Sequence, residues 1–169
     1  MSLERLHAWL AWLSVALVLA GAGLWVTQRW EVSQPVPFNH RKHVEFGIAC
    51  DACHIGAKDA VQAGVPDTST CALCHQPGKS NPKTPQTLEE YIREMKPIPW
   101  KKIYKAPRHV RFSHKRHVEV GGLDCKTCHG DIGKMEKPVS RQHVPLSMER
   151  CMACHRKEKV TTDCMACHR

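Results

Sequence analysis

Every cysteine in this chain belongs to one repeated phrase. The ten cysteines fall into five pairs, each with two residues between the thiols and a His directly after the second. They are Cys50-Asp-Ala-Cys53-His54, Cys71-Ala-Leu-Cys74-His75, Cys125-Lys-Thr-Cys128-His129, Cys151-Met-Ala-Cys154-His155 and Cys164-Met-Ala-Cys167-His168. A disulfide framework would space its cysteines irregularly, and zinc sites would group the pairs in fours without a His at one fixed offset. One such run alone also occurs in thioredoxin-like redox pairs, but here the phrase consumes every thiol. C-x-x-C-H is the attachment signature of c-type haem. Two thiols so spaced reach the two vinyl groups of one porphyrin as thioethers, and the adjacent imidazole lies beneath the iron as its proximal ligand. The sequence therefore predicts five covalent haems, with His54, His75, His129, His155 and His168 as proximal ligands.

Composition agrees that something other than side chains fills this chain. Apolar residues make up 42% of the 169 positions, yet many sit in one N-terminal block. From Pro35 onward the aromatic rings are Phe38, Phe46, Tyr91, Trp100, Tyr104 and Phe112. So few rings cannot anchor an ordinary core. The expected fold is mostly irregular with short helices carrying the motifs, almost no strand, and haem as its core, plus one N-terminal transmembrane helix.

An iron with one imidazole has an open face, and what closes it separates a carrier from an enzyme. Outside the motifs stand His7, His40, His43, His109, His114, His117 and His143. His7 opens the apolar block, which leaves six candidates for five faces. Four of these recur in an internal repeat: Phe38-Asn-His40-Arg-Lys-His43-Val-Glu-Phe-Gly before the first motif, and Phe112-Ser-His114-Lys-Arg-His117-Val-Glu-Val-Gly before the third. One residue is inserted before Cys125. On a helical turn, H-x-x-H sets two imidazoles on neighbouring sides, able to reach two different irons. The repetition suggests duplication of a two-haem unit. Met95, Met135 and Met148 are the alternative sulfur ligands, while Met152 and Met165 lie inside their own attachment loops and are read as packing on the porphyrin edge.

Phe-x-His-x-x-His ahead of Cys-x-x-Cys-His resembles the opening of the class III multihaem cytochromes, small periplasmic electron carriers. Residues 112–169 resemble a complete trihaem member. The resemblance implies that the first His of each pair serves the nearest motif, the second serves the next, and an isolated His serves the last. By position it pairs His114 with His129, His117 with His155 and His143 with His168. In the first copy it pairs His40 with His54 and His43 with His75. His109 is then spare, or replaces one of these. The N-terminal half departs from the family in having two motifs rather than three or four.

From Ala8 to Val26 no residue is charged, with Arg5 before the run and Arg29 after it. At about 1.5 Å per residue such a helix spans about 28 Å, close to the hydrocarbon thickness. Ala20-Gly21-Ala22 offers the competing reading of a cleavable signal peptide. Leu24-Trp25-Val26 continue the apolar run beyond it, and Trp9, Trp12, Trp25 and Trp30 sit towards its two ends like an interfacial belt, which favours an uncleaved anchor. Haem attachment in this family is extracytoplasmic, so the resemblance places the haem domain in the periplasm, held to the bacterial inner membrane by a single pass. The expected organisation is an anchor at 1–34, a two-haem module at 35–76, a linker at 77–108 and a three-haem module at 109–169. The linker holds Pro77, Pro82, Pro85, Pro97, Pro99 and Pro107 and is expected to run extended over the surface. Within it Thr87-Leu-Glu-Glu90 reads as a capping box opening a helix at 88–95 that Pro97 ends.

The formal charge of +9 suggests an anionic partner until the cofactors are counted. Each haem brings about −2 from its propionates and a ferric iron about +1, so five haems leave about +4 oxidised and about −1 reduced. Nothing in the chain interleaves Arg with aromatics as nucleic-acid binders do, and no nucleic-acid partner is expected. One N-terminal helix, five motifs and a class III-like head together resemble the multihaem subunits of alternative complex III and of quinone-reductase complexes. That likeness implies electron relay between a quinol/quinone oxidoreductase complex and a periplasmic redox partner. It also implies an integral-membrane quinone-interacting subunit, with iron–sulfur or molybdopterin-type companions. No catalytic residue and no small-molecule substrate at the haems are expected. The alternatives are a multihaem reductase with an open haem face, or a free periplasmic or extracellular carrier.

Overall fold

The computed structural model describes residues 3–29, 31–76, 78 and 85–169. Trp30, Pro77 and Pro82 of the sequence reading lie outside the described residues. The chain divides into two units, 1–32 and 33–169.

The first unit is helix α1, Leu3–Arg29. Its stretch His7–Trp25, with mean hydropathy 1.8, is long and apolar enough to cross a membrane, and signal sequences pass the same test. Trp9, Trp12 and Trp25 are exposed on it, as are Leu13, Leu17 and Leu24.

The second unit contains no strand among the described residues. Its helices are short: α2 His40–Glu45, α3 Cys50–Cys53, α4 Thr68–Ala72, α5 Gln86–Glu94, α6 Cys125–His129, α7 Met148–Lys157 and α8 Cys164–Cys167. A π-helical turn, Arg116–Val120, precedes α6, and a 3-10 turn, Ile132–Lys134, follows it. Side chains build little core, as the scarcity of rings implied. The buried apolar residues are Val36, Leu88, Ile92 and Ile98, with Cys71, Ala72, Tyr91 and Trp100 packed against them. Three of the four come from the proline-rich stretch, so this linker does more than wrap the surface. It plugs α5 against α4, and the hydroxyl of buried Thr68 donates to the Lys96 carbonyl.

The expected capping box does not form. Helix α5 starts at Gln86 with Pro85 at its N-cap and no side-chain cap. The amides of Leu88 and Glu89 donate to the Pro85 carbonyl at 2.9 and 3.2 Å. Pro85 is extended (φ −61°, ψ 134°) and the helix begins at the next residue, so Thr87 already lies inside it and cannot be the non-helical residue that a capping box needs. At the other end Met95 takes a left-handed conformation, φ 48°, and Pro97 follows, as expected.

The two copies of the repeat differ where the sequence inserts a residue. In the first, the Ile48 amide donates to the His43 carbonyl at 3.1 Å; in the second, Leu123 makes the matching bond to His117 at 3.1 Å. The extra residue is absorbed by the wider π turn and by Gly122, whose φ is +63°, an angle that glycine adopts without strain. The closing contact survives the insertion.

Each copy docks on the other half of the unit. The Arg41 amide of α2 donates to the Met135 carbonyl at 2.9 Å, and the Arg41 guanidinium lies 2.7 Å from Glu136. Reciprocally, the amides of His114 and Lys115 donate to Val61 and Ala60 at 3.1 and 2.9 Å. The Gln34 side chain adds bonds to the carbonyls of Lys101 (2.9 Å) and Val139 (3.1 Å). Segments far apart in sequence thus interlock in one compact body.

Candidate haem sites

The motif helices start where a side chain accepts their first amides. Asp124 caps α6 through the Lys126 amide (2.9 Å) and Asp163 caps α8 through Met165 (3.2 Å). Asp67 caps α4, and Ser147 caps α7 through Arg150 (3.3 Å). Only α3, after Ala49, lacks such a cap. These caps, worth about 0.5–2 kcal/mol each, escaped the sequence reading, although Asp directly before Cys125 and Cys164 is a usable signal. They fix one helical turn, which turns both thiols of a pair and the following His towards one side.

The distal candidates are set by the repeat. Phe38 stacks on His43 (centroids 4.4 Å apart, 27° between planes) and meets His40 edge-on at 4.7 Å and 84°. Phe112 repeats this on His117 (4.6 Å, 25°) and His114 (4.9 Å, 87°). The Phe of F-x-H-x-x-H is therefore a buttress that orients two imidazoles at once. The second His of each pair is also anchored through Nδ1, which donates to the carbonyl four residues back: His43 to Asn39 and His117 to Ser113, both 2.8 Å. Nδ1 of His54 meets Gly64 at 3.0 Å, of His114 meets Val61 at 3.4 Å, and of His155 meets Thr161 at 2.6 Å. A carbonyl can only accept, so Nδ1 carries the proton and Nε2 keeps its lone pair for a metal.

Four imidazole pairs face each other. Centroids are 6.1 Å apart for His43 and His75, 6.4 Å for His114 and His129, and 6.1 Å for His117 and His155. Two metal–imidazole bonds of about 2 Å plus two ring radii of about 1 Å sum to about 6 Å, so an iron between each pair fits. The fourth pair is His109 with His168, 5.4 Å apart and 15° from parallel. His143 is in none of these ring contacts; its amide donates to the Tyr104 hydroxyl at 2.9 Å. That hydroxyl donates to the His129 carbonyl at 3.2 Å, and the tyrosine ring meets the His129 ring edge-on at 4.4 Å. Tyr104, unremarked in the sequence, braces the third motif.

The electrostatics favour neutral ligands. Burial, then His54 and His43, pushes the His40 imidazole down to about 4. Its buried Nδ1 has no hydrogen-bond partner. His129, His114 and His75 are lowered chiefly by burial as well. Neutral imidazole is the form that ligates iron.

The thiols form no disulfide. Among the described residues there is no group of three or more His, Cys, Asp or Glu that could hold a bare metal ion. Burial raises the Cys53, Cys71, Cys125, Cys128 and Cys151 thiols, and a cysteine of a neighbouring motif raises each further: Cys74 acts on Cys53, Cys53 on Cys71, Cys50 on Cys125, Cys154 and Cys151 on Cys128, and Cys167 on Cys151. Cys50 and Cys125 line one cleft together with Ala57 and Lys58.

Paired imidazoles spaced for an iron and C-x-x-C-H turns, in a body with no strand among its described residues, define a multihaem c-type cytochrome, an electron-transfer protein with covalently bound haem. The family comparison agrees in both halves: residues 110–169 match cytochrome c7 and related cytochrome c, and residues 25–98 match the class III cytochrome C family. The chain belongs to these class III and c7-type cytochromes. One relative is the menaquinone reductase, multiheme cytochrome c subunit, of Nitratidesulfovibrio vulgaris strain Hildenborough. It is 30% identical over 161 residues, which cover 80% of this chain and 77% of the relative.

Proposed function

We propose that this chain is a membrane-anchored pentahaem relay, the cytochrome subunit of a quinone-reductase complex. It carries electrons between a quinone-interacting membrane subunit and a periplasmic redox partner. The observation that carries the reading is the set of imidazole pairs spaced for iron within one compact unit. Bound haem supplies a one-electron Fe(III)/Fe(II) couple. The chain's own residues supply the rest. Cys50, Cys53, Cys71, Cys74, Cys125, Cys128, Cys151, Cys154, Cys164 and Cys167 tether the porphyrins, and the motif histidines provide one axial nitrogen each. His40 with His54, His43 with His75, His114 with His129 and His117 with His155 close four irons to substrate. The Phe38 and Phe112 buttresses hold these ligands in place through both oxidation states, which keeps reorganisation small. Cys50 of the first motif and Cys125 of the third line one cleft, which supports a hop between those two groups.

The name of the relative supports a menaquinone-linked complex, and α1 supports an anchor. Haem attachment outside the cytoplasm supports a periplasmic head. The test is purification of the native protein from membranes. Five haems per chain by pyridine haemochrome, release by detergent only, and reduction by a menaquinol analogue only with the membrane subunit present are the expected results. A wholly high-spin or substrate-turning haem would replace this reading with that of a reductase, and release by salt alone with that of a free carrier.

A further inference from the structure

The C-terminal tail does something the repeat does not explain. It lies antiparallel against residues 109–111: the Arg111 amide donates to the Cys167 carbonyl at 2.7 Å, and the Arg169 amide to the His109 carbonyl at 3.0 Å. Val110 and His168 form the bridge between them. This pairing sets the His109 ring against the His168 ring, nearly parallel at 15° and 5.4 Å. The separation compares with 6.1–6.4 Å in the three pairs described above. His143 is held elsewhere. Its amide is on the Tyr104 hydroxyl, and its Cβ lies so close to Gly130 that a side chain there would come within 3.3 Å of it. That packing ties His143 to the turn after the third motif.

We propose that His109, rather than His143, supplies the second imidazole to the iron held by Cys164, Cys167 and His168. The inference rests on the haem reading above and departs from the ligand order that the family resemblance implies. Two backbone hydrogen bonds position the ligand, so the iron is closed by a β-like clasp rather than by a helical His pair. One segment, 109–117, then supplies distal imidazoles to all three motifs of the C-terminal half: His114 to the third, His117 to the fourth and His109 to the fifth. His143 is left with a packing role beside Gly130 and Tyr104.

The experiment uses the full chain, matured with haem, and compares His109→Ala, His109→Met and His143→Ala by ferric electron paramagnetic resonance and by carbon monoxide binding to the reduced protein. The expected result is that His109→Ala turns one haem of the five motifs high-spin and open to carbon monoxide. His109→Met keeps that haem low-spin with a thioether-to-iron band, and His143→Ala stays wholly low-spin. Any high-spin haem in His143→Ala overturns the proposal, as does a wholly low-spin His109→Ala with no new thioether band in His109→Met. If His109→Ala is not recovered folded, the methionine variant decides alone through its band. A parent protein without haem absorbance would instead sink the underlying haem reading, which separates the two failures.

Discussion

Removing the ring of Phe112 tests the buttress directly. The ring makes two aromatic contacts, stacked on His117 at 4.6 Å and edge-on to His114 at 4.9 Å. Such pairs are worth about 0.5–1.5 kcal/mol each beyond the area they bury. Phe112→Ala therefore weakens the closed state of each ligand by about 0.5–1.5 kcal/mol, a factor of about 2–12 in each equilibrium between bound and detached imidazole. The assay is titration of the ferric protein with cyanide, which competes for the sixth position and reads that equilibrium. Apparent cyanide affinity is expected to rise by that factor at no more than two haems, those of the third and fourth motifs. Phe46→Ala is the control, since Phe46 is 83% exposed and outside the described ring contacts. An unchanged affinity in Phe112→Ala, or a rise spread over all haems, would refute the buttress argument.

Three further perturbations follow from the fold. Tyr104→Phe keeps the ring on His129 but strips a hydroxyl that meets the His129 carbonyl and the amides of His143 and Val144; a loss of about 1–3 kcal/mol is expected in denaturant unfolding, with haem content unchanged. Ile92→Ala empties part of the only side-chain core described, where Ile92 is 5% exposed; an expected loss of about 2–5 kcal/mol should appear as early protease cleavage near α5. Arg41→Ala removes a guanidinium 2.7 Å from Glu136, but both side chains are about half exposed. A change of no more than about 1 kcal/mol is expected in the same unfolding assay, because the Arg41 amide keeps its bond to Met135.

The C-x-x-C-H phrase is legible in the sequence because its chemistry is local: two vinyl groups and an iron call for two thiols and an imidazole within five residues, as in Cys50, Cys53 and His54. The H-x-x-H pairs were legible because they repeat, and the buttressing Phe stands at one offset in both copies. What the sequence hid was long-range. That His109 meets His168 depends on the tail pairing with a segment almost sixty residues upstream, which no local pattern announces. Thr87 and Glu90 satisfy the capping-box pattern, yet the helix begins at Gln86 behind Pro85, which leaves Thr87 inside the first turn, where it cannot cap. The linker core was missed for a related reason. Prolines at 97 and 99 suggested a plain extended belt, while Leu88, Ile92 and Ile98 lie on the side that packs against α4.

Cys50 and Cys125 share one cleft with Lys58, which brings together two motifs from different copies of the repeat. A change of charge at Lys58 therefore bears on both copies at once, further than its place in the sequence suggests.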